Sequence, residues 1–218
     1  MKIPVSGVYL GSAKPMPGDG RPTAIFKSPG SRPVDIGFEG LVGDVQADRR
    51  VHGGPEKAVH HFPVENYARL VAQFPEVASG FVPGGLGENI STAGVDETTV
   101  CIGDIFALGS ARVQLCQPRT PCWKIDARHS HEGITRFVAD NGIAGWYYRV
   151  LEPGTVTVGD EFALLERATA VVTVAEFWAI VRAHRPALAQ LQSVAAIPGL
   201  STAWQRKLSE RVEWLRAN

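Results

Sequence analysis

Cysteine is scarce in this chain: three in 218 residues, Cys101, Cys116 and Cys122, with no CxxC pair among them. An odd count without a close pair argues against a disulfide framework and a tetrahedral zinc knot, and fits a reducing compartment. An excess of either charge is also missing. The 22 basic residues cancel the 22 acidic ones, so no global field draws the chain to nucleic acid or an anionic membrane, and any anion site must be local. No apolar run approaches the length of a membrane span, and Met1-Lys2-Ile3-Pro4-Val5-Ser6-Gly7 lacks the continuous apolar stretch of a signal peptide. A cytoplasmic protein is expected. Nucleotide fingerprints are absent as well, because Gly84-Gly85-Leu86-Gly87-Glu88-Asn89 leads neither to Gly-Lys-Ser/Thr nor to a helix.

What is present is an ordinary apolar share of 44%, enough for one well-buried core and a smaller appendage. Short β-branched and aromatic runs separated by Gly and Pro read as strands: Val8-Tyr9-Leu10, Ala24-Ile25-Phe26, Val34 to Phe38, Thr99-Val100-Cys101-Ile102, Ile105 to Leu108, Ala111 to Gln117, then segments over 145–151 and 154–165. Their regular spacing predicts a mainly β protein, a barrel with peripheral helices. Tyr67, Leu70, Val71 and Phe74 recur with helical period behind Pro63, which is placed at the first helical position. A further helix is expected over 134–141. At about Glu166 the composition changes. Thr173-Val174-Ala175-Glu176 has capping-box spacing, and apolar residues then repeat with helical period, so the chain divides into a barrel domain at 1–166 and a small three-helix module at 167–218.

The stretch that carries chemistry is Gln117-Pro118-Arg119-Thr120-Pro121-Cys122-Trp123-Lys124. Two prolines stiffen it, and Arg119 and Lys124 flank a thiol in a way that favours the thiolate, the form that attacks electrophiles or binds metal. Cys101 and Cys116 sit in strand-like runs and read as small buried hydrophobes. Gly53-Gly54 is either a tight turn or a set of amides that cradle an anion beside Lys57. His60 and His61 point to opposite faces of a strand and cannot chelate together, so one of them is expected to be exposed. Glu88 and Asn89 follow a Gly-rich turn and can bond the edge of a heterocycle. Trp146, Tyr147 and Tyr148 are expected in packing more than in ligand stacking.

With Gly43-Asp44, His52-Gly53-Gly54-Pro55, Gly87-Glu88-Asn89, Gly103-Asp104 and Gln117-Pro118-Arg119-Thr120-Pro121-Cys122 in that order, the chain resembles the MOSC family of molybdenum-cofactor proteins, in its YiiM-like branch. The resemblance implies a MOSC-type β-barrel that binds molybdenum-molybdopterin, with Cys122 as the protein ligand to the metal. It implies Gly53, Gly54, Lys57, Arg119, Thr120 and Lys124 as cofactor-binding residues, His52, His61 and Asn89 as ring or oxo contacts, and His61 or Glu88 as proton relays. The activity it implies is reduction of N-hydroxylated bases such as 6-hydroxylaminopurine. Electrons would come from a separate reductase, a flavoprotein, since no NAD or flavin motif is visible. Neither nucleic acid nor membrane is an expected partner, and a homodimer is compatible with the sequence. Two other readings remain at this stage: a cofactor carrier or persulfide sulfur-transfer protein, and a Cys-His hydrolase.

Overall fold

The computed structural model describes residues 1–30, 32–48 and 53–218. In chain order the strands are β1 (Lys2–Gly11), β2 (Lys14–Pro15), β3 (Pro22–Thr23), β4 (Lys27–Pro29), β5 (Val34–Gly37), β6 (Gly40–Leu41), β7 (Val59–Pro63), β8 (Ile90–Thr92), β9 (Ile105–Leu108), β10 (Ala111–Pro118), β11 (Trp146–Glu152), β12 (Gly154–Val156) and β13 (Glu161–Glu166). The helices are α1 (Glu65–Gln73), α2 (Lys124–His129), α3 (Ile134–Asn141), α4 (Val174–Arg182), α5 (Leu188–Ala195) and α6 (Thr202–Ala217).

Seven strands close a barrel in the order β13-β9-β10-β11-β7-β8-β1, with β1 returning to β13 and β4 lying outside the ring on β1. Closure removes the open edges that an antiparallel sheet would otherwise expose. Every pairing in the ring is antiparallel except that of β7 with β8. The parallel pair has α1 between its strands, as a crossover connection requires. Alternation decides what faces inward: Phe106 and Leu108 on β9, Val113 and Leu115 on β10, and Trp146 and Tyr148 on β11 are all buried in one cluster with Phe162. The mainly β barrel with peripheral helices is therefore present.

Several expected elements differ. Residues 24–26 are not a strand; they connect β3 to β4, with the Ile25 side chain buried. Pro63 closes β7 instead of opening the helix, because Val64 still donates its amide to the Thr92 carbonyl on the neighbouring strand β8 and α1 begins at Glu65. Residues 99–102 form only an isolated bridge between Cys101 and Thr173. Asp104 accounts for this, since its carboxylate accepts the Cys101 and Ala168 amides and pairs with Arg167, tying the segment to the start of the tail.

Two apolar clusters organise the rest. Helices α1, α2 and α3 gather Phe62, Tyr67, Leu70, Leu86, Ile125, Ile134 and Val138 into one of them beside the barrel. The tail helices share the barrel's own cluster: Phe177, Trp178, Leu191, Trp204 and Leu208 are buried together with Val100 and Ile102. The capping box forms as the spacing predicts, with Glu176 N donating to Thr173 Oγ1 and Thr173 N to Glu176 Oε2. No helix among the described residues is long and apolar enough to cross a membrane.

Candidate functional site

Strand β10 delivers the chain to the cysteine loop, and three independent contacts fix where the loop goes. Arg119 donates its amide to the Gly145 carbonyl at 3.0 Å. Gly145 has φ +72°, and a Cβ there would lie 2.0 Å from the His61 carbonyl oxygen, so only glycine permits this approach. The buried carboxylate of Glu97 in turn accepts the Gly145 amide and the Asn66 side-chain amide. Past the loop, the Cys122 carbonyl accepts from Ile125 N at 3.0 Å and Thr135 Oγ1 at 3.1 Å. Asp126 holds Thr135 through its amide and hydroxyl, so α2 and α3 together clamp the backbone at Cys122.

The half-buried Cys122 lines two adjoining clefts. The barrel-side cleft encloses about 610 Å³ of space, part of it open to solvent, and is lined among others by Lys27, Asp44, His60, Asn89 and Lys124. The tail-side cleft spans about 740 Å³, part of it open to solvent, and reaches Thr120, Trp204 and Lys207. Lys57, Arg119, Cys122 and Tyr147 line both.

The electrostatics are those of an anion site with a built-in framework. Lys27 and Asp44 form a buried ion pair at 2.5 Å, with side chains 6% and 8% exposed. Burial pushes the Lys27 ammonium down and the Asp44 carboxylate pushes it back up. Asp44 also accepts from Gly11 N at 2.6 Å and Asn89 Nδ2 at 2.8 Å, while Asn89 Oδ1 accepts the His60 amide. A charge pair taken out of water needs this many satisfied partners to persist. Arg119 is only 6% exposed and its Nη1 is buried without a hydrogen-bond partner. Its guanidinium lies against the Tyr147 hydroxyl, which burial pushes above the usual phenol range and Arg119 pulls back. Burial and the Arg119 charge both hold His60 neutral, well below the ordinary imidazole value.

Of the residues singled out in the sequence, the fold brings Lys57, Asn89, Arg119, Lys124 and Cys122 to the barrel-side cleft and Thr120 to the tail-side one. Asn89 acts inside the framework, since its side chain is spent on His60, Tyr9 and Asp44. Gly53 and Gly54 line neither cleft, and the Gly54 amide that was to cradle an anion donates to Gln46 Oε1 instead. His52 lies outside the described residues.

Two proton-relay assignments are corrected. His61 is wholly buried in the barrel, its ring nitrogens bonded to the Tyr148 hydroxyl at 3.0 Å and Thr92 Oγ1 at 2.9 Å, among Trp146 and Phe162. Burial alone pushes its pKa down to about 3, and it lines neither cleft. Glu88 is likewise fully buried. It accepts from Tyr67 Oη, the Gly84 and Leu86 amides and Ser91 Oγ, and so pins the Gly-rich turn. The exposed histidine expected of the pair at 60 and 61 does not exist either; both are buried.

Sequence reasoning passed over Lys27, Asp44, His60, Tyr147 and Lys207 as site residues. Tyr147 had a usable signal, because on a strand with Trp146 and Tyr148 inside, the residue between them must face out. Lys27 had none, since it reaches the site only through its pairing with Asp44, 17 residues away.

Residues 48–163, more than half of the chain, match the MOSC domain. The chain belongs to the MOSC family. It is 38% identical over 212 residues to Protein YiiM of Escherichia coli (strain K12), covering 97% of this chain and 93% of that one. The crystal structure of YiiM from Escherichia coli superposes with a TM-score of 0.81 at 32% identity, over 97% of this chain and 92% of the other. A protein of Gibberella moniliformis (strain M3125 / FGSC 7600) named Reductase is 33% identical over 177 residues, which is 81% of this chain and 31% of that longer protein. The MOSC family is associated with binding of the molybdenum cofactor.

The residues present fit such a group. A thiol is a soft donor suited to a metal already held by sulfur. Among the described residues no three His, Cys, Asp or Glu side chains gather into a metal cage, so a metal at Cys122 would take its remaining donors from the cofactor. The partnerless nitrogen of Arg119, with Lys57 and Lys124 lining the same cleft, is an environment for the cofactor's phosphate.

Proposed function

We propose that the protein is a molybdenum-cofactor-dependent reductase of N-hydroxylated bases of the 6-hydroxylaminopurine type, converting the hydroxylamine to the amine and so removing a base analogue. The observation that carries this reading is a half-buried thiol sharing a cleft with a buried, partnerless arginine nitrogen. The relative named Reductase supports the reaction class. Bound there, the cofactor would supply the two-electron chemistry, and overall the N–OH group, two electrons and two protons would give N–H and water.

The chain's own residues do the rest. Cys122 would hold the metal, while Arg119, Lys57 and Lys124 would hold the anionic end of the cofactor. Lys27 and Asp44 keep the cleft wall rigid and neutral as a pair. Electrons would arrive from a separate flavoprotein reductase.

Protein expressed in a host that makes the cofactor is expected to carry about one molybdenum per chain and to reduce 6-hydroxylaminopurine with an artificial electron donor. Cys122→Ala should abolish both. Activity that survives the substitution would sink the ligand role. A stable sulfur adduct on Cys122 without turnover would favour the carrier or sulfur-transfer alternative, and rapid alkylation without molybdenum would favour hydrolysis.

A further inference from the structure

The tail is joined to the site by a latch that simple packing does not require. Glu56, next to Lys57, accepts from both the amide and the hydroxyl of Thr202 at the start of α6, and pairs with Arg149 at 2.9 Å. The Glu56 carbonyl accepts from Gln117 Nε2, Gln117 Oε1 accepts from Ser201 Oγ, and Ser201 donates its amide to Cys116. The first turn of α6 is thereby registered on the two segments that carry Lys57 and the cysteine loop. One turn further on, the Lys207 ammonium lies 4.6 Å from the Trp204 ring centroid and lines the tail-side cleft. A cation over an aromatic face is held in place without being neutralised.

The two clefts that meet at Cys122 differ in chemistry. The barrel side carries the carboxylates of Asp44 and Asp48 among its cations Lys27, Lys57, Arg119 and Lys124. Among the described residues no carboxylate lines the tail side, whose charged residues are Lys57, Arg119 and Lys207. We propose that the tail-side cleft seats the substrate and that Lys207 binds an anionic substituent on it, so that the substrate is a phosphorylated form of the base in preference to the free base. This rests on the reductase reading for the word substrate, but the anion preference is a property of the cleft.

The test compares adenosine 5′-monophosphate with adenosine as probes of the holoprotein, by calorimetry, before any turnover is measured. The nucleotide should bind about tenfold more tightly than the nucleoside, as one charge-assisted contact would give. Lys207→Gln should collapse that ratio towards one and leave molybdenum content unchanged, whereas Lys207→Arg should keep most of it. Lys207 is exposed on a helix surface, so the variants are expected to fold. Equal binding of the two probes, an unchanged ratio in Lys207→Gln, or loss of molybdenum from that variant would each overturn the proposal. If the ratio behaves as expected but no N-hydroxylated compound is reduced, the reductase reading falls and the anion site stands.

Discussion

Two pairs of like residues, His60 with His61 and Cys116 with Cys122, are close in sequence and opposite in fate. His60 faces the cleft, and His61 is sealed among aromatic rings. Cys116 is fully buried, with its thiol donating to the Glu56 carbonyl, and burial pushes its pKa up to about 12. Cys122 is past the end of the same strand, in the loop between barrel and helices, where both clefts meet. Residue type does not assign function here. The pleat separates the histidines, and the point where the strand runs out separates the cysteines.

The comparison breaks first on thiol reactivity. At pH 8 a thiol of pKa about 12 has on the order of one molecule in 10⁴ ionised. Brief alkylation of native, cofactor-free protein followed by peptide mass spectrometry should therefore label Cys122 and leave Cys116 intact. Labelling of Cys116 at a comparable rate would show that the barrel does not protect it.

Next comes the substitution pair. Cys122→Ala should cut reductase activity by more than the roughly 10–100-fold typical of losing an outer partner of a metal site, with little change in unfolding midpoint. Cys116→Ala should do the reverse, costing about 1–2 kcal/mol of stability through a small core void while cofactor loading persists. Denaturant unfolding and metal analysis on both variants decide it.

The histidine pair gives a smaller effect with a definite sign. Folding holds His61 neutral with a pKa of about 3 against 6.5 for the free side chain, so between those values the unfolded chain binds more protons. The stability involved is present above about pH 6.5 and is lost as pH falls towards 3, amounting to about 2–3 kcal/mol by pH 4.5. His61→Gln, which keeps a neutral hydrogen-bonding side chain, should flatten that part of the acid limb in urea titrations at pH 7 and 4.5. An unchanged slope would mean that the ring is hydrated or otherwise able to accept the proton. The smallest effect is expected at the capping box, where Glu176→Ala should cost about 0.5–1 kcal/mol and leave the cysteine loop untouched.

Much of the fold was legible because its signals are local. Alternation marked β10, short apolar runs between turn residues marked β9 and β11, the capping box marked α4, and the helix expected over 134–141 has the bounds observed for α3, Ile134–Asn141. The misplaced elements were those settled by distant partners: Asp104 took residues 99–102 out of the barrel, and the Val64 amide kept Pro63 in it. The site was legible at Cys122, Arg119 and Lys57, where charge and thiol are adjacent to turn-forming residues. It was illegible at Lys27 and Lys207, which no spacing connects to the cysteine, and misleading at His61 and Glu88, whose ionisable groups are consumed by neighbours that only folding supplies.

The succession of many of the strands along the chain, the loop position of one cysteine out of three and the family's motifs are properties of the sequence alone, because period, turn chemistry and residue type act over a few neighbours. Which groups share a cleft, which of them remain charged, and how the tail is registered on the barrel were decided by tertiary structure. Desolvation and ion pairing depend on what lies within a few ångströms in space, and for Glu56 and Thr202 that neighbour is 146 residues away along the chain.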